Sequence, residues 1–243
     1  MAKKFSKVEA IRFGWQTMKQ NIGFFIRLLI VAGLIYIIPD IVGSFLRAAS
    51  PVLAFIVNTV IGGILGIIVA LGLIKISLNF CDSIKSKFGD LFSQYRLFFR
   101  FLFASLLYGL ITFAGFILLV IPGIYLAMRL QFYRYFIVDK GSLVTESLKK
   151  SWEVTRGSAW NLFIFGLLLG LINLAGALVF LVGLFATLPT TFVAVAFVYR
   201  KLLAQLTPQA PTPAPPSPSP TVSPPPSEPT PPAETLPPSG ATT

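Results

Sequence analysis

Long apolar runs alternate with short charged segments along this chain, and the alternation predicts its elements. Runs at 22–38, 52–74, 101–121 and 160–185 predict four membrane-crossing helices, since about 20 apolar residues span a bilayer core. Shorter runs at 124–138 and 189–203 predict two more. The first of these is about 22 Å long as a helix, against a hydrocarbon core of about 30 Å, so it must start deep or lean on its neighbours. Pro39 and Asp40 are expected to end the first span, Pro51 to open the second, and Pro122 with Gly123 to break the chain between the third and fourth.

The charged segments carry a helical period of their own. In Glu146–Gly157, ESLKKSWEVTRG, the wheel puts Val144, Leu148, Ser151, Trp152 and Thr155 on one side and Glu146, Lys149, Lys150, Glu153 and Arg156 on the other. This predicts an amphipathic helix with Ser142 as N-cap, an i,i+4 pair between Glu146 and Lys150, and closure at Gly157. Such a helix either lies in the headgroup layer, with its basic side chains towards lipid phosphates, or is a solvated helix packed on the ends of the spans. A second is predicted before the first span. There Ser6 and Glu9 have capping-box spacing and Val8, Ile11, Trp15 and Met18 form an apolar stripe. Asp90–Arg100 is a third, poorer candidate. A signal peptide is not expected, because the apolar run and its lead-in are too long.

Placing Glu9 on Glu146, a shift of 137 residues, also places Ile11, Arg12, Trp15 and Lys19 on Leu148, Lys149, Trp152 and Arg156. The expectation is three parallel units, each a lead-in helix and a helical hairpin, near residues 5–80, 88–138 and 142–205.

Composition turns these elements into a class. Hydrophobic residues make up 55% of the chain and charged ones 12%, with a mean hydropathy of +0.79, which marks an all-α integral membrane protein. The net charge of +11 would suit nucleic acid, but the basic residues flank apolar spans, so anionic lipid headgroups are the expected partner and nucleic acid is not. Nearly all of them fall on the side of the N-terminus. By the positive-inside rule this predicts six spans in the plasma membrane with both ends cytoplasmic. Residues 1–206 then form the membrane domain. Residues 207–243, rich in Pro, Ser and Thr, form a disordered cytoplasmic tail whose PxxP spacings could engage a protein partner.

The chain has no histidine and one cysteine, Cys81, so no disulfide, zinc site, histidine triad or cofactor is expected. No two carboxylates form a convincing acid–base pair, and Cys81 beside Asp82 reads as an inert thiol, so an enzyme is not expected.

The segments IPGIYLAMRLQF (121–132), ESLKKSWEVTRG (146–157) and VGLFATLP (182–189) resemble six-helix bacterial membrane proteins that include the membrane domain fused to some glycerophosphodiester phosphodiesterases. The spacing of Ser151, Trp152, Thr155 and Gly157 carries most of this resemblance, which covers most of residues 5–205. It implies a membrane domain that is not itself catalytic. The phosphodiesterase chemistry uses histidines and a carboxylate cluster, and does not carry over to a chain without histidine.

Two functional classes remain. One is a non-catalytic membrane organiser that binds lipid through Arg12, Lys19, Lys149, Lys150, Arg156 and Arg134. The other is a transporter or channel in which Arg129 faces an anionic headgroup or solute inside the membrane, with Asn58, Asn79, Asn161 and Asn173 lining the same interior. Against the second stands a structural Arg129, pairing for instance with Asp139 or Glu146. Gly62 with Gly66, a GxxxG pair, and Trp15 with Trp152 are expected at helix contacts.

Overall fold

The computed structural model describes residues 5–179 and 183–206, and the proline-rich segment 207–243 lies outside the described residues. Every regular element among the described residues is helical. Five stretches are long and apolar enough to cross a membrane. They are α2 (Ile22–Arg47), α3 (Pro51–Cys81), α4 (Phe98–Leu118) with the turns leading into it, α8 (Ala159–Leu178) and α9 (Leu184–Ala204). Between them lie α1 (Lys7–Gln20), α5 (Val120–Leu130), α6 (Tyr133–Lys140) and α7 (Val144–Val154).

The run at 124–138 is thus not one helix. The chain turns at Gln131 and Phe132 and divides it between α5 and α6. Other boundaries moved for reasons of tertiary contact. Pro39 does not end α2: it is buried in the helix, in van der Waals contact with the Gly62 position of α3. Asp40 stays helical too, because its Oδ1 accepts a 3.0 Å hydrogen bond from Asn58 Nδ2. Nor does Pro122 break the chain. The break is at Leu119, in extended conformation (φ −169°, ψ 153°), and Pro122 sits in the first turn of α5, where its missing amide costs nothing.

The poorer lead-in before α4 is two 3-10 turns, Phe88–Leu91 and Tyr95–Leu97, in place of an amphipathic helix. Asp90 Oδ2 accepts from the Lys87 amide at 2.9 Å and from Asn79 Nδ2 of α3 at 3.2 Å. The Leu91 carbonyl then presses on Gly72, where a Cβ would collide with it. Contact with α3 overrides the local helical pattern.

The first lead-in does form a helix, and Ser6 Oγ caps it by accepting the Glu9 amide at 3.2 Å. Its packed face differs from the predicted stripe. Ala10, Gly14, Thr17 and Met18 are buried, whereas Val8 is 73% and Trp15 40% exposed. The helix lies so close to α9 that a side chain at Gly14 would meet the Thr190 carbonyl; Met18 and the half-buried Ile11 of the predicted stripe do pack inward, whereas Val8 and Trp15 face outward.

At the centre α3, α6 and α9 meet. Leu71 and Leu78 pack with Phe132, Tyr135, Phe136, Val198 and Tyr199, and the Tyr135 and Tyr199 rings stack at 5.2 Å. Around them α2 packs on α3, α4 on α5 and α8 on α9. Each lead-in rests on a helix of another hairpin: α1 on α9, the 88–91 turn on α3, and α7 on α5 and α6. One charged cluster ties the C-terminal ends of α3, α6 and α9. Arg200 donates to both Asp139 oxygens at 2.8 Å and pairs with Asp82, while Tyr199 Oη donates to Asp139 Oδ2 at 3.1 Å. Burial alone would raise the Asp139 pKa. The guanidinium of Arg200, with help from Lys140 and Tyr199, outweighs that and holds it below the usual aspartate value.

Candidate functional site

The turn between α5 and α6 leaves helix-end groups without intrahelical partners, and α7 supplies them. Ser151 Oγ and Thr155 Oγ1 donate to the Arg129 carbonyl at 3.0 and 2.8 Å. Ser151 Oγ also accepts the Phe132 amide at 3.1 Å. In return Arg129 Nη2 donates at 2.7 Å to the Trp152 carbonyl, one of the last free carbonyls of α7. The two helix ends therefore cap each other. The exchange also brings a cation to the negative end of the α7 dipole.

Arg129 is only 4% exposed. Its guanidinium lies over the Trp152 ring at 3.9 Å to the centroid, and its Nη1 donates to Tyr125 Oη at 2.7 Å. Neither carboxylate expected beside it is there. Asp139 binds Arg200, and Glu146 pairs with Lys150 at 2.6 Å. Dipoles and a π face replace a counter-ion, while Nε is left without a partner.

These contacts give the distinctive residues of Glu146–Gly157 a structural role. Of the side the wheel places together, Leu148, Ser151 and Thr155 are buried and Val144 is half-buried; Ser147 and Val154 are buried as well, and Glu146, Lys149, Glu153 and Arg156 are exposed. Trp152 is half in each class, 39% exposed with one face on Arg129. The N-cap is Leu143, one residue later than expected. Its amide donates to Glu146 Oε2 at 3.3 Å, and Ser142 Oγ instead accepts from Lys150 Nζ at 3.4 Å. The Lys150 ammonium and the Leu143 amide hold the Glu146 carboxyl below its usual pKa. Gly157 follows the helix at φ +79°, a left-handed conformation suited to glycine.

On the other side of the same turn a cavity of about 500 Å³ opens between α2, α3, α4, α5, α6 and α9. Its apolar wall includes Ala70, Leu73, Ile74, Phe192 and Val195, and its polar groups are Ser77, Tyr108, Gln131, Thr191 and Arg134. A second cavity of about 410 Å³ adjoins it and shares Ala70, Tyr108 and Arg134. No carboxylate lines either one among the described residues, and Arg134 and four tyrosines are their titratable groups. Arg134 itself is exposed, and the described residues offer it the Tyr133 ring at 5.6 Å but no hydrogen-bond acceptor or ion pair. Chemically the arrangement is an anion-binding group set in an apolar recess.

The remaining sequence candidates are dispersed. Arg12, Lys19, Lys149 and Arg156 are exposed on α1 and on or just beyond α7, and Lys150 is half-buried. Lys19 lies over the Trp15 ring at 5.2 Å. The asparagines do not line one interior: Asn58 binds Asp40, Asn79 binds Asp90, and Asn173 binds Thr191 across the α8–α9 contact. Gly62 and Gly66 do face α2, but a Cβ added there would meet Pro39 and Tyr36 only at ordinary contact distances of 3.5–3.7 Å, whereas at single glycines such as Gly14 and Gly72 it would collide with backbone. Cys81 Sγ is half-buried and donates to the Val193 carbonyl at 3.8 Å.

Tyr108 and Ser77 had no signal in the sequence, since neither belongs to a pattern that marks a site. A polar pair at the turn, Gln131 and Arg134, was the one available clue.

No curated protein and no solved structure matches the chain. A family model does match, over residues 24–224, which takes in α2 to α9 and with them the α5–α6 turn and the cavity. The chain therefore belongs to the family described as domain of unknown function DUF7847.

Proposed function

We propose that this is a non-catalytic integral membrane protein that engages anionic lipid through one basic end, with both termini on the cytoplasmic side of the plasma membrane. One observation carries the proposal. α1 and α7 bury one face against protein and turn outward a tryptophan beside basic side chains: Trp15 with Arg12 and Lys19, and Trp152 with Lys149 and Arg156. Tryptophan and basic residues together favour the headgroup layer, where the ring sits at the interface and the cations reach phosphate. The resemblance to the membrane domain of glycerophosphodiester phosphodiesterases is consistent with a non-catalytic role.

The topology belongs to the same proposal. α5 and α6 together carry the run 124–138 and would make the sixth crossing, jointly with the buried α7 face and with Asp139 at its end. A parallel relation between the first and third units is supported by burial. Under the shift that places Glu9 on Glu146, the buried Ala10, Gly14, Thr17 and Met18 fall on the buried Ser147, Ser151, Val154 and Thr155.

The test uses the tryptophans as reporters. In bilayers that mix phosphatidylcholine with brominated phosphatidylglycerol, quenching measures the lipid at the basic end. The proposal expects phosphatidylglycerol to be enriched there, and enrichment to fall at least fivefold when Lys149, Lys150 and Arg156 are all changed to Gln, since about 1 kcal/mol for even one of these cations at the surface is about fivefold. Equal quenching by both lipids in the wild type would overturn it.

The second reading is a transporter, and the cavity favours it. Its cation would be Arg134, since Arg129 lines neither recess.

A further inference from the structure

We infer that the paired recess beside the α5–α6 turn is a binding site for one anionic phospholipid, with its phosphate on Arg134 and an acyl chain lying along α3. The inference rests on the reading of this protein as a lipid-engaging membrane protein, but concerns a different set of residues from the basic end.

Charge is the first argument. A guanidinium set among apolar walls is costly without an acceptor, and proteins either pair such groups or use them. The two arginines of low exposure are paired: Arg129 has a hydroxyl, a carbonyl and an indole face, and Arg200 has two carboxylates. Arg134 has only the Tyr133 ring at 5.6 Å among the described residues. Its natural partner is a phosphate oxygen, which a planar guanidinium can engage through two hydrogen bonds. Tyr108 and Gln131 stand in the same recess as further hydrogen-bonding groups for a headgroup, while the Ser77 hydroxyl already donates to the Leu73 carbonyl at 2.7 Å.

Shape is the second. The two recesses follow α3 from Gly63 to Ser77, a length of about 21 Å at 1.5 Å per residue, more than the roughly 15 Å depth of one hydrocarbon leaflet. Volumes of about 500 and 410 Å³ lie in the range of small-ligand sites. A cationic solute would meet Arg134 and no carboxylate. A small free anion would leave the apolar length from Gly63 to Ile74 unfilled. An anionic amphiphile suits both: its phosphate reaches Arg134, which lies where the two recesses meet, and its chain follows the apolar wall along α3.

The experiment is native mass spectrometry of the full chain in detergent, after incubation with phosphatidylglycerol, phosphatidylcholine or glycerol phosphate. Wild type is expected to keep one phosphatidylglycerol in preference to phosphatidylcholine, and to keep no glycerol phosphate. Arg134→Gln should lower that retention about fivefold, the value of about 1 kcal/mol for one cation at a lipid phosphate, and Arg134→Lys should recover part of it. Ala70→Phe, which fills the shared wall, should abolish retention of either lipid while the thermal transition persists. Wild-type retention in both Arg134→Gln and Ala70→Phe would overturn the site. Glycerol phosphate displacing the lipid at equal concentration would overturn the phospholipid assignment in favour of a phosphate site. The basic-end variant Lys149→Gln/Lys150→Gln/Arg156→Gln separates the two proposals. It should keep the single bound lipid while losing enrichment in bilayers, so each can fail without the other.

Discussion

Arg129 and Arg134 stand on either side of one helix break and have opposite fates. Arg129 turns towards α7 and is buried under Trp152, its terminal nitrogens used by a tyrosine hydroxyl and a helix-end carbonyl. Arg134 turns towards α3 and α4 and lines an apolar recess with no acceptor among the described residues. A charge in an apolar stretch of sequence is therefore not a functional site by its position alone. What separates the two is whether the fold has already satisfied the charge. On that criterion Arg129 holds the turn together and Arg134 is left for a ligand.

The comparison breaks most readily at Arg129. Arg129→Gln removes the cation from the α7 C-terminus and leaves the Trp152 carbonyl and Tyr125 hydroxyl without their donors. Unfolding of the purified protein in mixed micelles should show a loss of about 3 kcal/mol, in the range for breaking a buried charged contact. A change below about 0.5 kcal/mol, as for an ordinary surface substitution, would remove the structural role assigned to it. The other half of the reciprocal cap is Ser151→Ala with Thr155→Val. This pair orphans the Arg129 carbonyl and the Phe132 amide, and should cost about 2 kcal/mol in the same assay.

The Arg200 cluster sharpens the contrast from another direction, because it is a cation satisfied by carboxylates. Asp139 has its pKa held below the usual aspartate value. Its contribution is therefore present above the unfolded-state pKa, about 4, and is lost as pH falls through the lower native value. Thermal stability should drop only in that acidic window. Asp139→Asn should cost about 1.5 kcal/mol at neutral pH and flatten the acid limb. The Arg129 contacts involve no carboxylate and should leave that limb unchanged. The smallest stability effect is expected for Arg134→Gln, within about 0.5 kcal/mol of wild type, although lipid retention falls.

Several features were legible in the sequence because they are local. The wheel of α7 puts Leu148, Ser151 and Thr155 on the buried side and Glu146, Lys149, Glu153 and Arg156 on the exposed one, Ser6 caps α1, and Glu146 pairs with Lys150. The apolar runs mark α2, α3, α4, α8 and α9. What sequence could not supply was set by partners distant along the chain. Pro39 and Asp40 look like a helix end until Gly62 and Asn58 are seen to receive them. The run around Arg129 looks like a span until Ser151 and Thr155 stabilise a turn within it. Val8 and Trp15 look like the packed face of α1 because hydrophobicity was read as burial. The closest contact is instead made by the small Gly14 and Ala10, with Met18 beside them, and Val8 and Trp15 are left facing outward.

The site divides in the same way. Arg129 and Arg134 were both visible as charges in an apolar stretch, but only the break between α5 and α6 sends one into a cage and the other into a recess. Ser151, Trp152 and Thr155 were visible as a pattern whose meaning depends on that break.

The central claim, that Arg134 and not Arg129 meets lipid, is tested most directly by an experimental density map of the protein in phosphatidylglycerol-containing nanodiscs. The account predicts elongated density along α3 from Gly63 to Ser77, with a phosphate within hydrogen-bond distance of the Arg134 guanidinium, and Arg129 still closed under Trp152. A recess filled by protein side chains, or headgroup density at Arg129 with Arg134 paired to a carboxylate, would contradict it.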